Sequence, residues 1–212
     1  MNETDLPLLP TSVVGSHALP SWLHTVVKKI DTGEYGKTDI KETYDDAVDI
    51  AILDQTRAGV DIITDGEMRR HFFVQGFYKR IVGIEPDPLL RTVGPPGYDT
   101  PTRFHTVSPI QVPEGLGIVD EFNYTKTRTS LSIKATCPGP LTISMHIRPQ
   151  QVYKTRLDLA WEFASIINAE LKNLVAAGAG FIQIDEPSFA IVPGKANEWI
   201  ELYNSCVKDI DV

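Results

Sequence analysis

The sequence predicts an α/β fold in which parallel strands alternate with helices. Four short β-branched or apolar runs are separated by stretches whose apolar residues recur at helical spacing. Small or acidic residues follow each run directly. Such alternation implies right-handed crossovers between parallel strands, and four such units make half of a (β/α)8 barrel. We therefore expect a TIM-barrel fold with only about the first four β/α units present in this chain.

Each predicted element rests on a local pattern. The predicted strands are residues 11–16, 60–64, 131–136 and 181–184. Asp39 and Glu42 have the spacing of a capping box, and Gly59 has the position of a C-terminal glycine. A helix is therefore expected from Asp39 to just before Gly59. The strongest helical pattern covers residues 151–177, with apolar side chains every three to four positions. A last helix is expected at about 195–208.

The stretch between the second and third strands interrupts this alternation. Residues 85–113 are rich in Pro and Gly, which favours a long excursion. Residues 118–135 are rich in Thr, Ile, Tyr and Val, which favours a hairpin followed by a core strand. We therefore interpret residues 1–212 as the N-terminal half of a single TIM-barrel domain, with an irregular or hairpin excursion at about 85–130.

Composition excludes several classes of protein. The 212 residues carry a formal net charge of -8, which argues against binding to nucleic acid or to an anionic membrane. No run approaches the roughly 18 apolar residues of a membrane span, and the N-terminus lacks a secretory pattern. Two cysteines cannot make a disulfide framework, which fits a reducing compartment. We therefore expect a cytoplasmic protein whose partners are small molecules.

The residues that follow the predicted strands are the first candidates for a functional site. Asp65 and Glu67 follow the second strand, and Asp185 and Glu186 follow the fourth. The carboxyl ends of the strands carry the chemistry in barrels of this type. The alternatives are structural: the acidic residues could cap a following turn or helix, and Ser16 could simply form a turn.

Four segments of the sequence resemble the catalytic domain of cobalamin-independent methionine synthase. They are residues 9–16 (LPTSVVGS), 59–67 (GVDIITDGE, followed by Arg70), 139–142 (GPLT) and 182–187 (IQIDEP). The segments occur in the order of that family. The ordered set is more specific than any single segment.

The resemblance implies a TIM-barrel methyltransferase that forms methionine from homocysteine, with a zinc ion holding the thiolate. It also implies a set of substrate-binding residues. Val14 and Ser16 would contact the amino-acid substrate through the backbone and the hydroxyl, while Glu67 and Asp185 would hold its ammonium group. Two carboxylates on separate strand ends can converge on one cation, which supports this assignment. No residue of the chain is assigned as the chemical base.

The sequence departs from the family in its metal and donor sites. The family's zinc ligands are a His-x-Cys pair after the fifth strand and a later Glu and Cys, and this chain contains no His-x-Cys. We therefore expect zinc ligands beyond Val212, no metal site within this chain, and a chain that is inactive alone. His146 stands where the family has a folate-stacking Trp, and residues 71–74 also differ. Methyltetrahydrofolate is therefore one candidate among several methyl donors.

Two other functions remain open at this point. Related barrels transfer alkyl groups to other thiols such as coenzyme M, and a half-barrel could instead be catalytically silent. An open half-barrel leaves strand edges and apolar surface uncovered, so we expect an oligomer or a missing C-terminal half as partner.

Two further groups of residues invite a role. Cys137 and Cys206 are interpreted as core residues rather than as metal ligands. Four basic residues form a local patch that is either a solvated helix face or a contact for an anionic substrate tail. They are Arg69, Arg70, Lys79 and Arg80.

Overall fold

The computed structural model describes residues 6–70, 74–88 and 102–211. In chain order the helices and strands are α1 (Ser21–Asp31), α2 (Lys37–Arg57), β1 (Ile62–Ile63), α3 (Gln75–Tyr78), β2 (Val82–Pro86), β3 (Phe104–Gln111), α4 (Ile118–Arg128), β4 (Ser132–Pro138), α5 (Pro140–Ile143), β5 (Ile147–Arg148), α6 (Arg156–Ala176), β6 (Phe181–Asp185) and α7 (Ala196–Cys206).

The central sheet consists of β1, β4 and β6, with β4 in the middle. Both ladders are parallel: Ile62 pairs with Ser132, and Pro138 pairs with Asp185. Because the strands are parallel, their carboxyl ends lie at one edge of the sheet. The fold is therefore α/β with parallel strands, as the sequence predicts.

The first predicted strand, residues 11–16, is shorter than expected. Within the described residues its ladder is a single parallel bridge between Ser12 and Ile62. The carbonyl groups of Val13 and Val14 accept hydrogen bonds from side chains of β4 and β6 instead of from a strand backbone. Side-chain hydrogen bonds thus satisfy carbonyl groups that a neighbouring strand would bind in a longer ladder.

The excursion between β1 and β4 supplies β2 and β3 to a second sheet, in which β5, from after β4, is the third strand, in the order β2-β3-β5. The β2 and β3 strands pair antiparallel, and β3 and β5 pair parallel. The hairpin predicted within residues 118–135 is wrong, since that stretch begins with the helix Ile118–Arg128. Ile118, Phe122 and Thr125 are buried on one face of this helix. Their spacing is helical, and it outweighs the β-branched composition of the stretch.

Several helix boundaries also differ from the expected ones. The N-cap of α2 is Gly36, whose N–H donates to the Asp39 carboxylate at 3.0 Å, so Asp39 lies inside the helix and is not its cap. The helix α6 begins at Arg156 because Thr155 caps it, with Asp158 closing the capping box. The helix α1 was not predicted.

The core has two parts. The larger packs α4, α6 and α7 against the strands, and it contains Phe163, Ile167 and Leu171. The smaller packs α1 and α2 against β1. Cys137 and Cys206 are fully buried in the larger part, which confirms the expectation that both are core residues.

Candidate functional site

An open cleft of about 570 Å³ lies at the carboxyl edge of the central sheet. It is lined by residues from the segment before α1, from the loop after β1 and from β6. The four residues expected to bind substrate, Val14, Ser16, Glu67 and Asp185, all line this cleft. The fold therefore brings together side chains that are far apart in the sequence.

Glu67 is the most firmly held of the four. Its side chain is buried, and the residue is only 5% exposed. One carboxylate oxygen accepts hydrogen bonds from Thr136 Oγ1 at 2.7 Å and from Arg70 Nη1 at 3.2 Å, and the other accepts from Ser16 Oγ. A Cβ at Gly15 would lie 2.8 Å from the same carboxylate, so a glycine is needed there. The carboxylate is thus fixed by contacts from three segments.

The loop after β1 has an unusual backbone. Glu67 has a φ of 55°, a conformation that costs energy for any residue except glycine. The Glu67 N–H donates to Asp65 Oδ1 at 2.9 Å. Among the described residues, Asp65 Oδ2 is the one buried side-chain nitrogen or oxygen without a hydrogen-bond partner. Strain and an unpaired buried oxygen in one short loop are typical of a segment that serves a site.

Glu67 does not act as a helix cap. Its carboxylate accepts from the side chains of Ser16, Arg70 and Thr136, and no backbone N–H of a described helix donates to it. The structural alternative that the sequence left open for Glu67 is therefore wrong.

Arg70 is not part of a solvated basic face, which corrects one reading of the patch. It is buried, and it donates to Glu121 from both Nε at 2.9 Å and Nη2 at 2.7 Å. It also donates to Thr136 O at 2.8 Å. Burial alone would lower the pKa of Arg70, but the carboxylates around it, Glu121 first, raise that pKa above its ordinary value. Arg70 therefore stays charged between Glu67 and Glu121.

Asp185 faces the cleft from the end of β6 and is partly buried. Its Oδ1 accepts a hydrogen bond from Gln183 Nε2 at 2.6 Å. Burial raises the pKa of Asp185 above its ordinary value; the bond from Gln183 opposes this rise, and the charge of Glu67 adds to it. Two carboxylates on one cleft make a site that favours a cation, since each is relieved of repulsion when a positive group lies between them.

Glu186 has a different task from its neighbour. Its carboxylate accepts from the backbone N–H groups of Leu141 at 2.8 Å and Thr142 at 3.2 Å, so it caps the short helix α5. A Cβ at Gly139 would collide with this side chain. Burial raises the pKa of Glu186, and its hydrogen bonds oppose that rise. The capping alternative thus holds for Glu186, although the helix that it caps comes earlier in the chain.

The two other predicted residues contribute in different ways. The side chain of Val14 is exposed, at 79%, while its carbonyl accepts from Gln183 Nε2 at 2.8 Å. The Ser16 hydroxyl donates to Glu67. A role for either residue in holding a substrate stays a prediction.

Three residues of the site were not assigned a role from the sequence. They are Thr136, Lys134 and Gln183. The available signal was the two-residue period of a strand, since Gln183 lies on the same face of β6 as Asp185, and Lys134 on the same face of β4 as Thr136. The contacts themselves depend on the fold, and no spacing in the sequence reveals them.

The described ranges contain no set of three or more His, Cys, Asp or Glu side chains placed to hold a metal ion. None of the helices in the described part of the chain combines the length and the apolar character needed to cross a membrane.

Comparison with known proteins gives consistent matches. Residues 9–212 match the family described as the catalytic domain of cobalamin-independent synthase. A methionine synthase of Sulfurisphaera tokodaii is 37% identical over 209 residues, which are 98% of this chain and 60% of that protein. A methionine synthase of Saccharolobus solfataricus is 37% identical over 207 residues, which are 97% of this chain and 61% of that protein.

A solved structure shows the same likeness. The B12-independent methionine synthase of Shewanella sp. W3-18-1, determined in complex with selenomethionine, superposes with a TM-score of 0.79 at 29% identity. The match covers 97% of this chain and 60% of that one. The chain thus spans about 60% of the length of the relatives it matches.

Proposed function

Because this chain belongs to the catalytic-domain family of the cobalamin-independent methionine synthases, we propose that the full-length protein transfers a methyl group to the thiol of homocysteine. In this proposal the cleft holds the amino-acid end of homocysteine. The observation that carries the proposal is that Glu67 and Asp185 line one cleft at the carboxyl edge of the central sheet. The curated relatives named methionine synthase support the reaction class.

The chemistry of the cleft suits an ammonium group. Glu67 and Asp185 would each accept a hydrogen bond from it, and bonds between ionised partners are about twice as strong as neutral ones. Val14 would contribute backbone contacts and Ser16 its hydroxyl. Fixing the amino-acid end in this way orients the thiol toward the methyl donor, which raises its effective concentration.

The carboxylate pair also distinguishes between thiols. Coenzyme M carries a sulfonate and no ammonium group, so Glu67 and Asp185 would repel its charged end. Homocysteine offers a cation where the cleft offers two anions. The geometry therefore favours homocysteine over coenzyme M as the acceptor.

The family resemblance implies zinc, but the described residues do not fit a zinc site. They contain no metal-binding set, and both cysteines are buried in the core. We therefore assign these residues no step through a metal, and we propose that zinc ligands lie beyond Val212. The residues in hand hold and orient the substrate.

The methyl donor and the surroundings of the domain are further parts of the proposal. His146 occupies the place of the stacking Trp, and burial and the charges of Arg103 and Arg156 lower its pKa. A neutral imidazole ring is compatible with stacking on methyltetrahydrofolate. We also propose that the remaining strands of a TIM barrel, from a C-terminal half or a partner, cover β6, which pairs only with β4 among the described strands. A cytoplasmic location stays a prediction.

A methylation assay on the full-length protein tests this function. L-homocysteine is compared with 4-mercaptobutyrate, which has the same thiol chain but no ammonium group, and with coenzyme M. Methyltetrahydrofolate and methylcobalamin serve as donors in parallel. We expect methionine from homocysteine and a KM for 4-mercaptobutyrate that is about 10-fold to 100-fold higher. Equal KM values would remove the ammonium role, and a preference for coenzyme M would contradict the proposed reaction.

A further inference from the structure

We propose that Gln183 and Lys134 are positioning residues that hold the Asp185 carboxylate and the Val14 carbonyl together as one substrate-binding unit. The proposal rests on the proposed function, because it assigns these two residues to the site for the amino-acid end of homocysteine. Neither residue is proposed to touch the reacting atoms.

Four hydrogen bonds define the unit. Lys134 Nζ donates to Val13 O at 2.6 Å and to Gln183 Oε1 at 2.7 Å. Gln183 Nε2 donates to Val14 O at 2.8 Å and to Asp185 Oδ1 at 2.6 Å. The bonds join the segment before α1, the middle strand and the last strand of the central sheet. The four donor–acceptor distances, 2.6–2.8 Å, are those of short hydrogen bonds, and charged partners shorten such bonds.

The charge of Lys134 fixes the orientation of the Gln183 amide. An ammonium group is only a donor, so the amide must present its oxygen to Lys134. The amide nitrogen then faces Asp185 and Val14. A glutamine without this lysine could turn over and present its oxygen to the Asp185 carboxylate, which would break the bond. Lys134 therefore acts on Asp185 through Gln183.

The segment around Val14 needs this support. Its described ladder is the single bridge at Ser12, so the backbone of the following residues is held by side chains. The carbonyls of Val13 and Val14 both bond to the Lys134–Gln183 pair. Loss of the pair would free the one backbone segment that is expected to contact the substrate.

The charged surroundings of Asp185 give the unit a measurable signature. Asp185 is influenced by Glu67 in the loop after β1, by Arg70 beyond that loop and by Lys134 on β4. The Gln183 bond lowers the pKa of Asp185, against the effect of burial. Burial lowers the pKa of Lys134, and the charges of Asp185 and Glu67 oppose this. Removing either the amide or the ammonium group would therefore raise the pKa of Asp185.

The test measures the KM for L-homocysteine against pH in the full-length protein and in three variants: Gln183→Leu, Gln183→Glu and Lys134→Met. Each variant should raise KM by about 10-fold to 100-fold with a smaller change in kcat. The pH at which KM begins to rise on acidification should move upward, because the Gln183 bond that lowers the pKa of Asp185 is lost. Gln183→Glu keeps the shape and the acceptor for Lys134, so it reports on the lost donor even where Gln183→Leu folds poorly.

Exposed Gln111→Leu and Lys172→Met are the matched controls, and both should behave like the parent protein. Asp185→Asn is measured in parallel. A higher KM in Asp185→Asn, with unchanged KM and pH profile in the three variants, would overturn the positioning role and leave the proposed function standing. A loss of thermal stability alone, with the same KM and pH profile, would overturn it as well. A parent protein that does not methylate homocysteine would instead refute the function.

Discussion

Arg70 Nη1 lies 3.2 Å from Glu67 Oε1, with both side chains buried. The same guanidinium group donates two bonds to Glu121, so one cation serves two carboxylates. Burial raises the pKa of Glu121, and Arg70 is the largest influence that opposes this rise. Arg70 therefore links the Glu67 carboxylate to the helix α4.

Arg70→Met should destabilise the protein strongly. The change leaves Glu67 and Glu121 buried without their cation, and breaking a buried pair in this way costs about 3–5 kcal/mol. Urea unfolding measures the loss. Arg69→Met is the control, because Arg69 and its partner Asp45 are more exposed and the expected loss is about 1 kcal/mol or less. An equal decrease in the free energy of unfolding in the two variants would show that Arg70 does not stabilise the fold by pairing with Glu67 and Glu121.

Glu67→Gln and Asp185→Asn should each weaken substrate binding. Loss of a charge-assisted contact to the ammonium group should raise the KM for homocysteine by about one to two decades. The zinc that we propose to be held by residues beyond Val212 should not change in amount. Steady-state kinetics measures the KM, and metal analysis measures the zinc. Asp120→Asn is the control, because Asp120 is an exposed residue of α4. A parental KM in both carboxylate variants would refute their assigned role.

Glu170 should be important for stability and not for catalysis. From α6 it accepts hydrogen bonds from the N–H groups of Leu116 and Ile118, both at 2.9 Å, and so caps the start of α4. Glu170→Ala leaves these donors buried without a partner, at a cost of about 3 kcal/mol. Thermal or urea unfolding measures this cost. The exposed Glu162→Gln on the same helix should change stability by less than about 0.5 kcal/mol. A Glu170→Ala protein as stable as that control would contradict the capping role.

The acid limb of substrate binding should belong to Asp185. Because burial raises its pKa, Asp185 takes up a proton at a higher pH than an exposed aspartate does. The neutral form binds an ammonium group weakly, so the KM for homocysteine should rise as the pH falls through that range. Asp185→Asn should remove this part of the KM profile. A profile unchanged in Asp185→Asn would assign the limb to another group.

Through Asp185, a fall in pH should affect folding stability in the opposite direction to substrate binding. A carboxylate whose pKa is raised by folding opposes folding at any pH above the folded pKa, and this penalty disappears as the pH falls. Asp185→Asn should therefore not lower the melting temperature at neutral pH. A clear decrease would indicate that Asp185 supports the fold.

The sequence predicts best what local pattern decides. Strand β6 and most of helix α6 lie at their expected positions, because a buried apolar run and a helical repeat of apolar residues act over short stretches; the start of α6 at Arg156 is set by a capping box that was not predicted. The convergence of Glu67 and Asp185 was also foreseeable, since the carboxyl ends of parallel strands share one edge. The alternation of strands and helices predicted which edge of the sheet carries the site, and the motifs predicted which residues lie there.

Contacts between distant segments were beyond the reach of sequence patterns. Arg70 is buried with Glu121 as its partner. Glu121 lies on helix α4, in a stretch where the composition predicted a hairpin. The first strand is short because the carbonyl groups of Val13 and Val14 accept hydrogen bonds from the side chains of Lys134 and Gln183 and not from a neighbouring strand. In both cases a tertiary hydrogen bond, invisible in any local window, decides the structure.

A crystal structure of the full-length protein with bound L-homocysteine tests the central claim most directly. The claim is that Glu67 and Asp185 hold the substrate's ammonium group in the cleft beside Val14 and Ser16. We expect the amino nitrogen within about 3 Å of an oxygen of each carboxylate. Homocysteine bound with its ammonium group away from both carboxylates, or in another cavity, would contradict the account.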